Sequence, residues 1–480
     1  MKSLTSATIK GFGWSAIEKF SIQGLTFLLQ IILARLLDPS DYGIIGMLAI
    51  FMQIGQVFVD TGFANALIQK KQCQQSDYST VFIYNFGVSV VIYLLFFFIA
   101  PYVALFYNTP ELTNVMRVIS ITIVFNAIPI VNRTILIKAV NFKIIAKISL
   151  IATLTSGIFG IALAYYGYGV WALCYQTILL SIIQAILFYL YEKWRPTLEF
   201  SMKSFNSLFK FGSKMLLTNL IGAFYTNMYT LVIGKRFSKH ELGNYSRADQ
   251  FASFPANSFV SIVSRVVYPV FCKIQDDNDK LRTAYRKIIR LSSFLIFPVM
   301  IGLMSVSQPF IYTFLTGKWN GAVILLQILC LDWILDHLSS INLNLLYVKG
   351  RTDLALRLEI FKKIIAVFIL FVSLNFGLIA MCYGRALYSV IATVINTTYT
   401  KKYLSLSIFD QVKDILPFLI GAIVMGVGIV IVINFFSSCV IQLIIGIVVG
   451  VLLYLFISFL FFKSTLHELV NIKKLLRNNN

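Results

Sequence analysis

Long apolar runs recur along the whole chain, and they constrain its fold more than any other feature. About fourteen segments reach the roughly 20 apolar residues that a helix needs to cross a bilayer. Because lipid offers the backbone no hydrogen-bond partner, spanning segments must be helices or closed barrels. The runs are too long and continuous for barrel strands. With 58% hydrophobic and 13% charged residues among 480, the chain is predicted to be an all-α polytopic membrane protein.

A turn between two long apolar helices occurs twice, with the second copy 200 positions after the first. The first copy covers residues 34–43 and the second covers 234–243. Without a gap, the matched pairs include Arg35 with Lys235, Asp41 with Glu241, and Gly43 with Gly243. A unit of this length is too long for a solenoid repeat and is typical of half of a duplicated transporter. We therefore expect two pseudo-symmetric six-helix lobes with a site between them.

The polar stretches between the apolar runs suggest where the lobes begin and end. Residues 1–192 are predicted to form an N-terminal lobe with six spans, and the basic stretch 193–205 a cytoplasmic linker. Residues 206–404 would form the second six-helix lobe. Residues 405–480 would add two nearly uncharged helices and a basic cytoplasmic tail. No short leader with a cleavage site is present, so the first helix is predicted to act as an uncleaved insertion signal.

The positive charge of the chain is read as an orientation signal. The net charge is +21, and most Lys and Arg residues fall in the loops and ends of one side. This asymmetry predicts that both termini are cytoplasmic and that the basic side meets anionic lipid, and it argues against nucleic-acid binding. The six cysteines are scattered singly, so neither a disulfide framework nor a metal site is expected. No cofactor or catalytic motif is found, and an enzyme is not expected.

Polar side chains within the predicted spans are the candidate transport residues, because a charge inside a bilayer usually faces a cavity or a partner. On the first helix, Ser15, Lys19, Gln23, Thr26 and Gln30 follow each other at helical spacing and share one face. Similar stripes occur on the second and eighth helices. The predicted cavity residues are Lys19, Gln23, Gln30, Gln56, Asp60, Arg247, Gln250, Ser261, Arg265 and Arg385.

Two other interpretations of these residues stay open. Each charged residue could form a structural ion pair between helices, and Gln or Ser stripes also hold membrane helices together. Asp332, Asp336 and His337 share a face only weakly, so a structural role is favoured for them.

For coupling to protons or sodium ions, the candidates are the carboxyl groups of Glu18, Asp60 and Asp249. Arginine binds phosphate with two hydrogen bonds, so Arg247 and Arg265 suit an anionic cargo.

Several motifs resemble a known family. These are residues 33–43, the segment Asp60-Thr61-Gly62-Phe63, and residues 242–248 and 264–269. They are similar to Wzx-type lipid-linked oligosaccharide flippases, especially the colanic-acid and teichuronic-acid exporter branch. That branch belongs to the multidrug/oligosaccharidyl-lipid/polysaccharide (MOP) superfamily. Arg247 and Arg265 match positions of the family, whereas Lys19 is assigned to the cavity by its stripe alone.

The resemblance implies both an architecture and a function. The two lobes would form a V that opens alternately to either side of the bacterial cytoplasmic membrane. The cargo would be an undecaprenyl-pyrophosphate-linked oligosaccharide repeat unit, moved from the inner to the outer leaflet for O-antigen, capsule or exopolysaccharide synthesis. A polysaccharide polymerase and a chain-length regulator would be partners. The membrane potential, protons or sodium ions would supply the driving force.

Two alternative functions can be compared with the flippase. A multidrug exporter of the same superfamily would favour an acidic, aromatic cavity that accepts cationic drugs. A membrane polymerase or glycosyltransferase would need a sizeable outer loop or a pair of catalytic carboxylates. No predicted outer loop is longer than about 20 residues, so the polymerase or glycosyltransferase is the less favoured alternative.

Overall fold

The computed structural model describes residues 21–60, 62–463, 465, 466 and 468, and leaves out the side chains at 211, 214 and 262–266. Throughout this described part, every regular element is a helix, which confirms the predicted all-α class. Ten helices are long and apolar enough to cross a membrane, or eleven if one pair bent by 41° forms a single span. The chain is thus a multi-pass membrane protein, while the count of fourteen spans stays a prediction.

The chain divides into two compact units, Met1–Gly243 and Asn244–Asn480. The lobe, linker and tail boundaries given above stay a prediction. The helices that lie in the first unit are α1 (Ser21–Leu36), α2 (Pro39–Asp60), α3 (Phe63–Gln69), α4 (Gln75–Tyr107), α5 (Leu112–Ile119), α6 (Ile121–Ala127), α7 (Ile130–Lys138), α8 (Phe142–Tyr165), α9 (Val170–Tyr191) and α10 (Met202–Arg236). The next helix, α11 (Lys239–Lys273), begins in this unit.

The two copies of the repeated turn have the same local structure. Helix α1 ends two residues before Asp38 and α10 ends two residues before Ser238, and the following helix begins one residue later in both. The backbone N–H of Asp38 donates to the Asp41 carboxylate at 3.0 Å. The backbone N–H of Ser238 donates to the Glu241 carboxylate at 3.0 Å. An acidic residue thus satisfies an N–H group at the start of the helix in each copy.

Two of the predicted straight spans are broken. The second span divides into α2 and α3 at Gly62, whose φ of 74° is left-handed and favours glycine. A Cβ at this position would lie 2.9 Å from the Met215 Cβ, so α10 also approaches closely there. The fourth span divides into α5, α6 and α7, with the 41° bend before Ile130. Non-helical backbone at membrane depth is tolerated only where protein buries it or where it lines a cavity.

The predicted linker lies against the start of α4. The Gln75 amide donates to the carbonyl of Arg195 at 2.8 Å and accepts from the Trp194 indole N–H at 2.7 Å. Nearby, Lys138 donates to the carbonyls of Leu67 at 3.2 Å and Lys70 at 2.5 Å. Lys138, at the end of α7, thus stabilises carbonyl groups at the end of α3. This end of the first unit therefore collects the basic loops that were predicted to be cytoplasmic.

Within its described residues, the second unit contains the rest of α11 and eight further helices. They are α12 (Asn278–Ser305), α13 (Ser307–Phe314), α14 (Asn320–Trp333), α15 (Asp336–Val348), α16 (Thr352–Leu374), α17 (Leu378–Leu404), α18 (Ile408–Ile433) and α19 (Cys439–Phe461). A 3-10 turn, Gly317–Trp319, precedes α14. Outside the spans, the backbone N–H of Lys280 donates to the N-cap Asp277 at 3.0 Å and lowers the pKa of that carboxyl group.

The last two helices pack against α12 and α13 of the same unit. The Tyr454 hydroxyl of α19 donates to the carbonyl of Phe294 on α12 at 2.9 Å. On α18, the buried carboxylate of Asp414 forms ion pairs with Arg286 at 2.7 Å and with Arg290 at 2.5 Å. The terminal helices are thus held by polar contacts as well as by apolar packing.

Candidate transport site

Among the described residues of the second unit, a group of charged side chains within the spans surrounds Arg385 on α17. Its guanidinium group forms ion pairs with Asp249 of α11 at 2.9 Å and with Asp332 of α14 at 2.7 Å. It also donates to the Tyr245 hydroxyl at 2.6 Å. The side chain of Arg385 is only 14% exposed. One arginine therefore joins three helices through charge-assisted hydrogen bonds, and we call Tyr245, Asp249, Asp332, Trp333 and Arg385 the Arg385 cluster.

Trp333 completes the Arg385 cluster. Its indole N–H donates to the Asp249 carboxylate at 3.0 Å. The Arg385 guanidinium carbon lies 5.4 Å from the centre of the Trp333 ring, within the range of a cation–π contact. Two carboxyl groups therefore share one guanidinium group in this cluster.

The helix geometry explains how the sequence brings these groups together. Tyr245 and Asp249 are four residues apart on α11, so they share one face. Arg385 and Ser389 have the same spacing on α17, and the Ser389 hydroxyl donates to the Asp332 carbonyl at 2.6 Å. Two adjacent residues at the end of α14, Asp332 and Trp333, then meet both faces.

A second polar pair lies on the same stretch of α11, where Arg247 stands between Tyr245 and Asp249 in the sequence. Arg247 on α11 donates to the Gln250 side-chain oxygen at 2.5 Å, and Arg247 is only 9% exposed. Ser261, farther along α11, donates to the carbonyl of Ser258 at 2.9 Å. The structure thus brings Arg247 together with Gln250, and Arg385 together with Asp249. Arg265 lies on α11, and its side chain is outside the described set.

In the first unit, the polar stripe of α2 contacts two other helices. Gln56 accepts from the Asn126 amide of α6 at 3.2 Å, and Gln53 accepts from Asn227 of α10. Asp60 interacts electrostatically with Arg133 of α7. These contacts are those of a stripe that holds helices together, and they leave the role of Gln56 and Asp60 in a cavity as a prediction.

The remaining predicted residues belong to the first helix. Gln23 and Gln30 lie on α1, and both side chains are partly exposed. Lys19 and Glu18 lie outside the described residues. Among the residues that the structure does describe, no group of three His, Cys, Asp or Glu side chains could hold a metal ion.

The sequence interpretation did not single out Tyr245 or Trp333 as members of the Arg385 cluster. The structural role that it favoured for Asp332 stays a prediction. Aromatic residues make up 15% of the chain, so one more tyrosine or tryptophan carries no signal. For the three charged members of the cluster, the sequence did contain a chemical signal. Asp249, Asp332 and Arg385 lie in apolar segments, and buried charges of opposite sign are expected to pair.

The contact between Gln56 and Asn126 gives a test of the structural role of the α2 stripe. Gln56→Ala and Asn126→Ala should each lower the unfolding temperature in detergent, and a double-mutant cycle should give a coupling of about 0.6 kcal/mol. Gln30→Ala is the control, paired with Asn126→Ala in the same cycle. Strictly additive effects of Gln56→Ala and Asn126→Ala would contradict the contact.

The fold is that of a multi-pass membrane protein with charged and polar clusters inside its spans. A sequence profile of the family described as "Polysaccharide biosynthesis protein" matches residues 32–324. The chain belongs to this family.

Two curated relatives match most of the chain. The lipopolysaccharide biosynthesis protein WzxC of Escherichia coli (strain K12) is 28% identical over 86% of this chain and 82% of its own length. The teichuronic acid biosynthesis protein TuaB of Bacillus subtilis (strain 168) is 27% identical over 95% of this chain and 96% of its own length. The resemblance inferred from the sequence motifs is confirmed.

Two solved structures have a similar fold. The lipid II flippase MurJ in an inward closed conformation covers 94% of this chain and 99% of its own, with a TM-score of 0.77 and 16% identity. An inward-facing multidrug resistance transporter of the MATE family, itself of the MOP superfamily, covers 81% and 98%, with a TM-score of 0.62 and 16% identity. These similarities show that this chain shares the fold of these two transporters.

Proposed function

We propose that this protein is a flippase for an undecaprenyl-pyrophosphate-linked oligosaccharide repeat unit. It would move this unit from the inner to the outer leaflet of the bacterial cytoplasmic membrane by alternating access, in the synthesis of a surface polysaccharide. The observation that carries the proposal is the match to WzxC and TuaB along more than four-fifths of each chain. These relatives favour polysaccharide synthesis over drug export, and nothing in the described residues suggests a catalytic site.

The physical problem that such a protein solves is the charge of the head group. Carrying a pyrophosphate and its sugars through roughly 30 Å of hydrocarbon is prohibitive without help, because burying an unpaired ion costs tens of kcal/mol. Polar side chains such as those of the Arg247–Gln250 pair would replace part of the hydration of the head group. The lipid tail would stay in the bilayer.

Reconstitution tests the proposed function directly. Liposomes with and without the protein would carry an undecaprenyl-pyrophosphate-linked oligosaccharide, and a lectin added outside would report the sugar that reaches the outer leaflet. We expect the protein to speed this transfer well above that in empty liposomes. A matched arm would contain a cationic dye in place of the glycolipid. Dye transport without glycolipid transfer would contradict the flippase and support the multidrug exporter.

We also propose that the membrane potential helps to drive transfer. The cell interior is negative, so moving an anion outward releases about 2.3 kcal/mol per charge per 100 mV. Potassium gradients with valinomycin would set voltages of either sign in the same liposomes. Transfer should be faster under an inside-negative voltage. A rate that does not change with voltage would reject this mechanism and leave proton or sodium coupling, through carboxyl groups such as Asp60 or Asp249, as the alternative to test.

We also expect the polymerase and the chain-length regulator of the same polysaccharide to be partners of this protein.

We further place both termini in the cytoplasm. The basic loops near Lys138 and Arg195 support this orientation. Labelling of single added cysteines in intact cells would test it.

A further inference from the structure

The two copies of the repeated turn touch each other through glycine. A Cβ added at Gly43 would lie 1.7 Å from the carbonyl oxygen of Lys239. A Cβ added at Gly243 would lie 1.8 Å from the carbonyl oxygen of Pro39. Both distances are far inside van der Waals contact, so neither position accepts any other residue without separating the two helices. All four residues belong to the first compact unit.

The contact is reciprocal under the internal repeat. Moving 200 positions along the chain converts Gly43 into Gly243 and Pro39 into Lys239, so each contact becomes the other. Such a self-complementary contact is what a two-fold relationship produces. Its chemistry is also suited to separation, because Cα–H···O contacts between helices are individually weak and small residues let backbones come close without interlocking side chains.

Further contacts collect at the same end of the first unit. The Lys239 ammonium group pairs with the Glu111 carboxylate at 3.1 Å, and Lys235 donates to the carbonyl of Phe106. A Cβ at Gly169 would lie 3.2 Å from an oxygen of Asp41. The turns before α2, α5, α9 and α11 therefore meet at one end, which is the end that the charge distribution predicts to face outward.

We propose that this end is the outer gate of the transporter, sealed by the contacts of Gly43 with Lys239 and of Gly243 with Pro39 and latched by the ion pair between Glu111 and Lys239. This inference rests on the proposed function, because a gate serves a protein that opens to two sides. The structure shows the gate closed. To release its cargo outward, the protein must separate α2 from α11 at these glycines, and the seal re-forms when the protein turns inward.

Alanine at either glycine tests the seal, because a Cβ would hold the gate partly open. Gly43→Ala and Gly243→Ala should each shift the gate by about 5- to 150-fold toward the open form. Hydrogen–deuterium exchange in the purified full chain would be followed in peptides covering 37–43 and 237–243. Each single variant should speed exchange in both peptides. Gly87→Ala on α4 is the matched control, because a Cβ there meets no atom within 4 Å.

A second variant keeps the test decisive if alanine prevents folding. Lys239→Gln removes the latch without adding a Cβ at the seal, and it should also speed exchange in both peptides. Unchanged exchange in the partner peptide, in Gly43→Ala or in Lys239→Gln, would overturn the proposal. In the liposome assay, Gly43→Ala and Gly243→Ala should slow glycolipid transfer, whereas Gly87→Ala should not.

Exchange and transport separate the two proposals. If the wild-type protein does not move the glycolipid but Gly43→Ala still speeds exchange in the 237–243 peptide, the gate holds and the proposed cargo fails. If the wild type moves the glycolipid and Gly43→Ala moves it equally fast, the gate fails and the flippase holds.

Discussion

Replacing Arg385 with alanine is expected to lower the stability of the protein by about 3–5 kcal/mol. The substitution would leave the carboxylates of Asp249 and Asp332, which are 30% and 10% exposed, without their shared cation. Breaking a buried ion pair by removing one partner is costly because the remaining charge keeps its desolvation penalty. The unfolding temperature of the detergent-purified protein would measure the loss.

Two further variants identify the cause of this loss. Arg385→Lys keeps the charge but not the planar fork that reaches both carboxylates, so its stability should fall between that of the wild type and Arg385→Ala. Arg385→Ala combined with Asp332→Asn removes one of the uncompensated charges and should recover part of the loss. Arg357→Ala, at an exposed position on α16, is the control and should change stability by less than about 0.5 kcal/mol.

The same variants distinguish a structural role of Arg385 from substrate binding. If Arg385 only joins α11, α14 and α17, the double variant should recover glycolipid transfer together with stability. If Arg385 also binds the pyrophosphate, the double variant should recover stability without recovering transfer. An Arg385→Ala protein that unfolds at the wild-type temperature would show that the two carboxylates do not depend on this arginine.

The sequence predicted those features that depend on local pattern. The apolar runs predicted the helices, because a lipid environment leaves the backbone no other way to satisfy its hydrogen bonds. The repeat predicted that residues 34–43 and 234–243 share one structure, and both copies do have an acidic residue bonded to the N–H three positions earlier. The contact between Gly43 and Lys239 did not follow, because equal local structure does not imply that two copies meet.

The sequence did not predict the contact partners of the polar residues, for a related reason. Helical spacing shows which residues share a face, as it did for Gln56 and Asp60, but it does not show what the face meets. Asn126 and Arg133 lie on the broken fourth span, and a bend of 41° redirects any face that a straight helix would present. Asp332 pairs with Arg385, which lies three helices later in the chain.

Removing the two arginines that pair with Asp414 is expected to lower the stability of the protein more than removing the Asp414 carboxylate does. The Asp414 side chain is 3% exposed, whereas those of Arg286 and Arg290 are 35% and 48% exposed. Asp414→Asn would leave two arginines that water can still reach, at a cost of about 1–2 kcal/mol. Arg286→Gln combined with Arg290→Gln would leave a buried carboxylate with no cation, at a cost of about 3–5 kcal/mol.

Thermal unfolding in detergent and limited proteolysis of the loop before α18 would measure this asymmetry. The control is Lys287→Gln on α12, the helix that carries Arg286 and Arg290. The ion pair of Lys287 with Glu468 at 3.5 Å is nearly half exposed on both sides and should contribute at most about 1 kcal/mol. Adding Asp414→Asn to the double arginine variant should restore stability, because no buried charge then remains. If Asp414→Asn cost as much as the double arginine variant, the packing of α18 on α12 would depend on the ion pairs themselves. The desolvation of one carboxylate would then not explain the effect.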